Sequence, residues 1–480
     1  MAPAPRRADA DGGPQQLIPV ARVAVRWRAH AVRGSAALVA LAALLFVAPA
    51  SAIETPAALG PCGPIARRHD YVELTAAGLR KLGRTPLERI GMMAFRDGAL
   101  VPIPFQIDER EGRTIAMPNG PEPSTDSKPG VLDLDDVVVV LPCDAGAHAT
   151  AAELEHAVPG LVTWREIELR DPLDGAHAFA YLVVADRPPT TSRHYVSYEP
   201  AADLVATAAY RVGMVRALPT YFAIAMTGPL GPNLLDGIRL RADATLLASL
   251  AHFHLDETDA RHALMAWKAG PVRVVRRSRH DVKVLGLPIP LQAGIANTAF
   301  YPLVAYGPGA LHLPISPGVL FRDIAAMGGL DARDLRGWRF VAPGTPPGGF
   351  AIDGEMDAAE RAYAATGTWF VLVHGDEALL VVVTLSENLA RAIPLEIVYV
   401  DDARRDAPPE HERGSVPLAG FRGRHIERLP ADRYRFDLRV YLLPGYRAGD
   451  EMRVMRERET PLAVTINAPE AHAAAPASTR

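Results

Sequence analysis

Two histidines and an aspartate stand at alternate positions of one short segment, and they are the residues best suited to metal chemistry. They are His252, His254 and Asp256. Side chains at i, i+2 and i+4 of a β-strand point to the same side of the sheet. Two imidazoles and one carboxylate are a ligand set for a cation such as zinc. The pattern therefore predicts a candidate metal site, and the alternative is that these histidines pack or hydrogen-bond within a strand.

Six basic side chains form a second candidate site. They alternate with apolar residues along two runs of strand periodicity, 236–250 and 270–285. If the runs are neighbouring strands, the six share a cationic outer face that could bind the planar oxyanions of an acidic glycan. The alternative is a solvated face neutralised by nearby acids. The six residues are Arg239, Arg241, Arg273, Arg277, Arg279 and Lys283.

The alternation also predicts how the two candidate sites are related. If the register of the first run continues unbroken, His252, His254 and Asp256 extend its apolar, inward row. The histidines and the arginines would then lie on opposite faces of a sheet, because a period of two separates the faces. We therefore expect two sites and not one.

The wider sequence must supply the elements that hold these residues, and its composition predicts short strands. The 480 residues include 43 Pro and 39 Gly, which favours many turns. Asp97-Gly98 lies between two apolar runs, and 171–175 lies between two alternating runs, so both segments predict hairpins. The predicted fold is mainly β, with an N-terminal β-sandwich followed by a larger antiparallel β-sandwich with long loops.

A Pro- and Thr-rich stretch around 188–200 predicts the boundary between two domains. The first domain would span 53–200 and the second 201–468. Within the second, 289–349 is dense in Pro and Gly, and we expect long loops there. The tail, 469–480, is predicted to be disordered.

The N-terminus predicts export. The uncharged apolar run 36–48 follows several arginines and precedes Ala50-Ser51-Ala52, which has the form of a signal-peptidase site. We expect residues 1–52 to be a signal peptide, with an uncleaved anchor as the alternative, and the protein to be periplasmic or secreted. No later stretch has the roughly 20 apolar residues of a membrane-spanning helix.

Cysteine usage and charge agree with that compartment. Cys62 and Cys143 both follow the predicted cleavage site, and an even pair in an oxidising compartment predicts a disulfide. Lipidation of Cys62 is the alternative. Residues 1–52 carry six Arg and two Asp, so their removal changes the formal net charge from -4 to -8. This acidic balance argues against nucleic acid as a partner.

Three short strings carry a resemblance to a known group of proteins. They are 101–109, with the sequence VPIPFQIDE, 134–139, and Gly270-Pro271-Val272-Arg273. Together they resemble exported bacterial proteins of unknown function with a VPFQIDE-type strand and a GPVR strand. Some of those proteins are similar to β-sandwich domains of polysaccharide-processing proteins. The resemblance implies export and a β-sandwich fold, and it assigns no catalytic residue.

These observations favour an exported envelope protein of binding or accessory type that recognises an anionic glycan or a protein partner. The alternative is a polysaccharide lyase or epimerase, in which Tyr301, Tyr306 or His280 has the right residue type for proton abstraction. A zinc-dependent hydrolase centred on His252 and His254 is a third hypothesis. The sequence has no Gly-x-Ser-x-Gly elbow and no phosphate-binding glycine loop. It leaves the cofactor and the substrate open.

Overall fold

Antiparallel β-sheets make up most of the chain, so the predicted mainly β fold is confirmed. The computed structural model describes residues 56–215, 218–247, 251–282, 294–405 and 414–468. The predicted signal peptide, Lys283 and the tail 469–480 lie outside the described residues.

The first half of the described chain contains seventeen strands. In chain order they are β1 (Val72–Thr75), β2 (Ile90–Arg96), β3 (Ala99–Pro102), β4 (Phe105–Asp108), β5 (Arg110–Glu111), β6 (Thr114–Ile115), β7 (Val137–Val140), β8 (Leu161–Arg170), β9 (His177–Ala185), β10 (Val196–Glu199), β11 (Leu204–Thr207), β12 (Tyr210–Val215), β13 (Leu218–Ile224), β14 (Leu235–Leu246), β15 (His252–Leu255), β16 (Ala260–Ala269) and β17 (Val274–Val282).

The second half adds eleven strands, and short helices lie between the strands of both halves. These strands are β18 (Gly294–Phe300), β19 (Val304–Leu313), β20 (Phe321–Ala332), β21 (Arg339–Val341), β22 (Phe350–Ala351), β23 (Trp369–His374), β24 (Glu377–Leu385), β25 (Leu395–Val400), β26 (Leu418–Arg424), β27 (Asp432–Pro444) and β28 (Ala463–Asn467). The α-helices are α1 (Ala151–Ala157), α2 (Ala358–Ala362), α3 (Glu387–Ala392) and α4 (Asp450–Glu459). The 3-10 helices are Ala76–Leu82, Leu87–Arg89, Pro142–Asp144, Pro317–Val319 and Ile426–Arg428.

The strands form six sheets in the described part of the chain. The largest has nine strands in the order β16-β17-β18-β19-β27-β24-β23-β21-β22. Two sheets have five strands, β15-β14-β20-β26-β25 and β28-β8-β9-β2-β3. The smaller sheets are β10-β11-β12-β13, β1-β7-β4 and β5-β6.

Both predicted hairpins are present, and their turns have the backbone that the sequence demands. Asp97 and Gly98 connect β2 to β3 with positive φ angles of 53° and 81°, as a two-residue turn matching the strand twist requires. Gly175, at φ 78°, closes the turn between β8 and β9. All four valines of β7 are buried, since this strand lies between β1 and β4.

The segment 289–349 differs from the expected long loops, because its described part contains β18, β19 and β20. Glycine permits this by allowing close approach of backbones. A Cβ on Gly420 would lie 2.3 Å from the carbonyl oxygen of Gly328 on the neighbouring strand. Pro308 lies within β19, opposite Asp437 of β27. The density of Pro and Gly therefore marks tight strand packing here and not a loop.

The last strand of the described chain joins a sheet of strands from the first 185 residues. Strand β28 pairs with β8 along its whole length, from Ala463 opposite Arg170 to Asn467 opposite Glu166. The residues from Ile53 onward form one compact unit. The boundary near residue 200 stays a prediction, and one hydrophobic cluster contains Val137 and Val139 together with Val274 and Phe300.

The predicted disulfide between Cys62 and Cys143 is confirmed, with Cα atoms 4.1 Å apart and a sequence separation of 81. In the chain-entropy description, closing a loop of this length stabilises the fold by about 4 kcal/mol. Among the described residues, no helix has the length and apolar character needed to cross a membrane.

Candidate functional site

His252 and His254 lie on the outward side of β15, and the expectation that they extend an inward row is wrong. Both are exposed, whereas Phe253 and Leu255 between and after them are partly buried. The chain reverses after Leu246, so β15 pairs antiparallel with β14 instead of continuing it. This reversal resets the alternation that the sequence prediction carried through unbroken.

The two histidines do not converge with Asp256 on a common point. His252 Nδ1 lies 3.0 Å from Thr245 Oγ1, and His254 Nδ1 lies 2.8 Å from Asp243 Oδ1. Asp256 accepts hydrogen bonds from the backbone and hydroxyl of Thr258. Within the described ranges, no three His, Cys, Asp or Glu side chains form a group that could hold a metal ion. The metal site at these residues stays a prediction without geometric support.

The two arginine-bearing runs lie in different sheets, so the expectation of neighbouring strands is wrong. Strand β14 belongs to a five-stranded sheet and β17 to the nine-stranded sheet. Arg239 on β14 is 8% exposed, while Leu240 beside it is 39% exposed. The arginine side of β14 is therefore the buried side at this point. Arg241 of the same strand is partly buried.

Buried carboxylates explain why Arg239 lies inside. Its Nε donates to Asp331 at 2.8 Å, its Nη2 to Asp236 at 2.7 Å and its Nη1 to Glu257 at 3.2 Å. Asp331 is 1% exposed and also accepts from Arg405 at 2.6 Å. A buried guanidinium that is fully hydrogen-bonded in this way fixes structure, and its donors face protein acceptors.

Arg273 lies at the centre of a second buried network, which we call the Arg273 cluster. Its Nε and Nη2 donate to Asp108 Oδ2, and its Nη1 donates to Glu73 and to the hydroxyl of Tyr301, with distances of 2.5 to 2.9 Å. Arg273 is 3% exposed and Asp108 is 0% exposed. Lys268 Nζ lies 3.4 Å from the other Asp108 oxygen. The cluster joins β1 and β4 to the nine-stranded sheet.

Two of the three strings that carry the resemblance meet in this cluster. Gln106 and Asp108 come from the VPIPFQIDE string, and Gly270 and Arg273 come from the GPVR string. The Gln106 side chain donates to Asp108 at 2.8 Å and accepts from the Arg273 backbone at 3.1 Å. Residues of the two strings therefore contact each other within one buried, ion-paired cluster.

A partly exposed polar face extends from the Arg273 cluster across the nine-stranded sheet. The strand register aligns Arg277 with Asn297, and Val275 with Ala299, Tyr306 and Arg439 in turn. Residues in one register row, and at every second position along a strand, share a face. The members of this face, which we call the polar face, are Arg277, Arg279, Asn297, Tyr306, Asp437 and Arg439.

Tyrosine and arginine side chains pack together at the centre of the polar face. The Arg439 guanidinium carbon lies 4.7 Å from the centroid of the Tyr306 ring, within cation–π range. Arg439 Nε lies 3.3 Å from Asp437. Next to them, Tyr71 stacks on Tyr301 with ring centroids 4.2 Å apart, so aromatic rings connect the polar face to the Arg273 cluster.

A loop from the N-terminal part of the chain holds the arginine end of the polar face. Arg277 donates to Asn297 at 3.0 Å and to the carbonyl of Ile115 at 2.9 Å, and it is 8% exposed. Arg279 pairs with Glu122 at 2.9 Å, and its side chain stays 37% exposed. Arg277 is therefore positioned by protein contacts, whereas Arg279 has donors near solvent.

Burial and nearby charges raise the pKa of both tyrosines in this region. Burial raises the pKa of Tyr306, with the negative charge of Asp437 adding to the effect. Burial likewise raises the pKa of Tyr301, against the opposing charge of Arg273. Both phenols therefore stay protonated at neutral pH and can donate hydrogen bonds. His280 is not part of this face.

A shallow depression elsewhere does not offer a better site. It has a volume of about 410 Å³ and is lined by Phe350, Tyr363, Thr345 and small or apolar residues. No acidic or basic side chain lines it, so it lacks the groups for acid–base chemistry or for binding an anion.

Sequence reasoning found Arg277 and Arg279 but missed Asn297, Asp437 and Arg439. A signal was present, since Arg435, Asp437 and Arg439 alternate along β27 as the arginines do along β17. Alternation identifies a polar strand face, but it does not reveal that two strands 150 residues apart in sequence share a sheet.

The chain matches no protein-family model and no curated protein sequence. Among solved structures, an α-mannosidase from Enterococcus faecalis V583 is 9% identical, with a TM-score of 0.42 over 84% of this chain and 44% of that chain. A glycosyl hydrolase family 38 protein from Enterococcus faecalis is 10% identical, with a TM-score of 0.36 over 65% and 40%. An α-N-acetylgalactosaminidase from Bifidobacterium bifidum is 12% identical, with a TM-score of 0.30 over 53% and 38%. The chain spans less than half the length of each, and these scores are too low to carry an argument about activity.

Proposed function

We propose that this protein is an exported, accessory-type protein that binds an anionic glycan on the polar face of its nine-stranded sheet. The observation that carries the proposal is the combination of Arg279, which is 37% exposed, with Tyr306, Asn297 and Arg439 on the same face of one nine-stranded sheet. Guanidinium groups bind carboxylates and sulfates. Hydroxyl and amide groups bind the sugar hydroxyls that surround such an anion.

The polar face is suited to binding because contacts within the protein already hold several of its side chains in place. Its side chains come from interior strands of a wide sheet, and Arg277 and Arg439 are already ordered by protein contacts. A preordered site loses less side-chain entropy when it binds a ligand. Export is part of the proposal and rests on the predicted signal peptide and on the cysteine pair.

Under this proposal, two of the arginines predicted from the sequence have a structural role, and Arg279 contacts the ligand. Arg239 and Arg273 hold buried carboxylates, so their substitution would destabilise the fold and would not test binding. Arg279 and the Tyr306 hydroxyl are the groups whose removal tests binding with the fold intact.

The test is affinity electrophoresis or calorimetry with a soluble polyuronate and a sulfated glycan. Arg279→Ala and the double variant Arg279→Ala/Tyr306→Phe should bind at least tenfold more weakly than the wild type, with the effect reduced at high salt. Arg89→Ala is the matched control, because Arg89 is 36% exposed and pairs with one carboxylate, Asp186, as Arg279 does with Glu122. Equal affinity of the wild type and the double variant would refute the polar face as the site.

A further inference from the structure

A pair of histidines faces one another on the two outermost strands at the β16 end of the nine-stranded sheet. His262 and His280 are directly opposite in the register of β16 and β17, and their Nδ1 atoms lie 2.7 Å apart. We propose that these two imidazoles bind a divalent transition metal ion through their Nδ1 atoms. The site is separate from the polar face, and it does not depend on glycan binding.

The chemistry of imidazole requires a proton or a cation between the two rings. Each neutral ring carries one N–H and one lone pair, and two lone pairs directed at each other repel. Either a ring proton or a cation must therefore lie between His262 and His280. At their distance, one tautomer satisfies the pair with a hydrogen bond, and a metal ion satisfies it with two coordinate bonds.

Ser278 is placed to accept a proton from His280 in the tautomer that a metal ion requires, because a serine hydroxyl both accepts and donates hydrogen bonds. His280 Nε2 lies 2.7 Å from Ser278 Oγ. When that nitrogen donates its proton to the serine hydroxyl, the lone pair of His280 is on Nδ1, toward His262. Metal-bound histidines usually donate their second nitrogen to such a partner, which orients the ring. His262 Nε2 is buried and has no hydrogen-bond partner, so a proton on that nitrogen is unsatisfied, and metal binding must offset this penalty as well as the loss of the hydrogen bond between the rings.

The distance between the two Nδ1 atoms favours some metal ions over others. Two nitrogens at right angles around an ion, each roughly 2.0 Å from it, lie roughly 2.8 Å apart, whereas tetrahedral angles place them roughly 3.3 Å apart. The observed 2.7 Å fits adjacent positions of a tetragonal ion. This geometry favours Cu²⁺, then Ni²⁺, over Zn²⁺.

Charged groups lie close to the pair. The Asp281 carboxylate interacts electrostatically with both rings, and its negative charge favours a cation at the same place. Arg276 is the nearby cation, and its charge is balanced by Asp203 at 2.6 Å.

Solvent would complete the coordination. Both rings are partly exposed, and in the described part of the chain no third His, Cys, Asp or Glu joins them in a metal-binding group. The predicted ligands His252 and His254, by contrast, face Thr245 and Asp243 and not each other.

The experiment titrates the full chain with Cu²⁺, Ni²⁺ and Zn²⁺ by calorimetry and records the electron paramagnetic resonance spectrum of the Cu²⁺ form. The wild type should bind one equivalent of Cu²⁺ most tightly, with splitting from two nitrogens. His262→Gln and His280→Gln should each weaken binding at least tenfold. His177→Gln is the control, since His177 is an exposed strand histidine that pairs with Glu168, and it should bind as the wild type does.

Ser278→Ala should weaken binding about tenfold, the size of effect typical of a group that orients a metal ligand. The wild-type spectrum tests the site without any substitution, so a variant that misfolds does not prevent a decision. A spectrum with no nitrogen ligands, or equal affinity in the wild type and both histidine variants, would overturn the proposal. Loss of binding in His254→Gln with retention in His262→Gln would also overturn it.

Discussion

The guanidinium group of Arg273 donates two hydrogen bonds to a single oxygen of Asp108, from Nε at 2.9 Å and from Nη2 at 2.5 Å. The carboxylate comes from β4 and the guanidinium from the residue that precedes β17, 165 positions later in the chain. Both groups are buried. One ion pair therefore fastens the small three-stranded sheet to the nine-stranded sheet beside the polar face.

Breaking this ion pair should be costly, because the remaining partner is left buried and charged. We expect Arg273→Met and Asp108→Asn each to lower the free energy of unfolding by about 3 to 5 kcal/mol. The double variant should lose clearly less than the sum of the two, since it leaves no unpaired charge. Urea denaturation measures all three. Arg391→Ala, at a 74% exposed arginine, is the control and should stay within about 0.5 kcal/mol of the wild type.

If the losses of unfolding free energy in the two single variants simply add in the double variant, the coupling between Arg273 and Asp108 is contradicted.

The pH dependence of the unfolding free energy gives a second check. Burial alone would raise the pKa of Asp108, but the charges of Arg273 and Lys268 outweigh it and lower that pKa. The ion pair therefore contributes its full stability above the ordinary aspartate pKa, and this contribution declines as the pH falls below that value.

His69 should make the fold sensitive to mild acid. Burial lowers its pKa to about 4 from the ordinary 6.5, while its Nε2 donates to the carbonyl of Leu442 at 2.9 Å. The folded state therefore holds a neutral ring that the unfolded chain protonates below pH 6.5. Stability from this difference is present above that pH and is lost as the pH falls toward 4, with a limit of about 3 kcal/mol.

The measurement compares His69→Gln with the wild type in urea at pH 7 and at pH 4.5. Glutamine keeps an N–H donor for Leu442 but does not titrate. The gap in unfolding free energy between the two proteins should therefore narrow at pH 4.5. A gap that is constant or wider at the lower pH would show that His69 is not the titrating group.

Local features of the fold were predictable from the sequence, because local chemistry determines them. Asp97-Gly98 and Gly175 identify turns that need positive φ angles, and the run of valines in β7 identifies a buried strand. The disulfide between the two cysteines was predicted from the number of cysteines and the expected compartment alone. These inferences need neighbouring residues only.

The partners of each strand were not predictable in the same way. Alternation along β14 and β17 defines two faces for each strand but does not say which sheet the strand joins. Arg239 lies inside because Asp331, 92 residues away, is buried beside it. The polar face likewise depends on β27 meeting β19. Such contacts depend on tertiary packing, which single-sequence patterns do not encode.

Substitution of Gly270 tests the contact between the string 101–109 and the GPVR string. A Cβ at this position would lie 2.2 Å from Gln106 Oε1 and 2.4 Å from its Cδ. The side chain of Gln106 cannot move freely, because it bonds to Asp108 and to the Arg273 backbone. Gly270→Ala should therefore destabilise the fold by about 2 kcal/mol through overpacking, measured by urea denaturation.

Gly228→Ala is the matched control, because a Cβ there meets no atom within 4 Å and the residue has no positive φ angle. It should leave the unfolding free energy unchanged or slightly raised, since alanine restricts the unfolded chain. Shortening the opposing side chain supplies the rescue. In the background of Gln106→Ala, the added methyl group of Gly270→Ala no longer meets the amide, so its cost should fall to near zero. A cost that persists in that background would place the clash elsewhere than against Gln106.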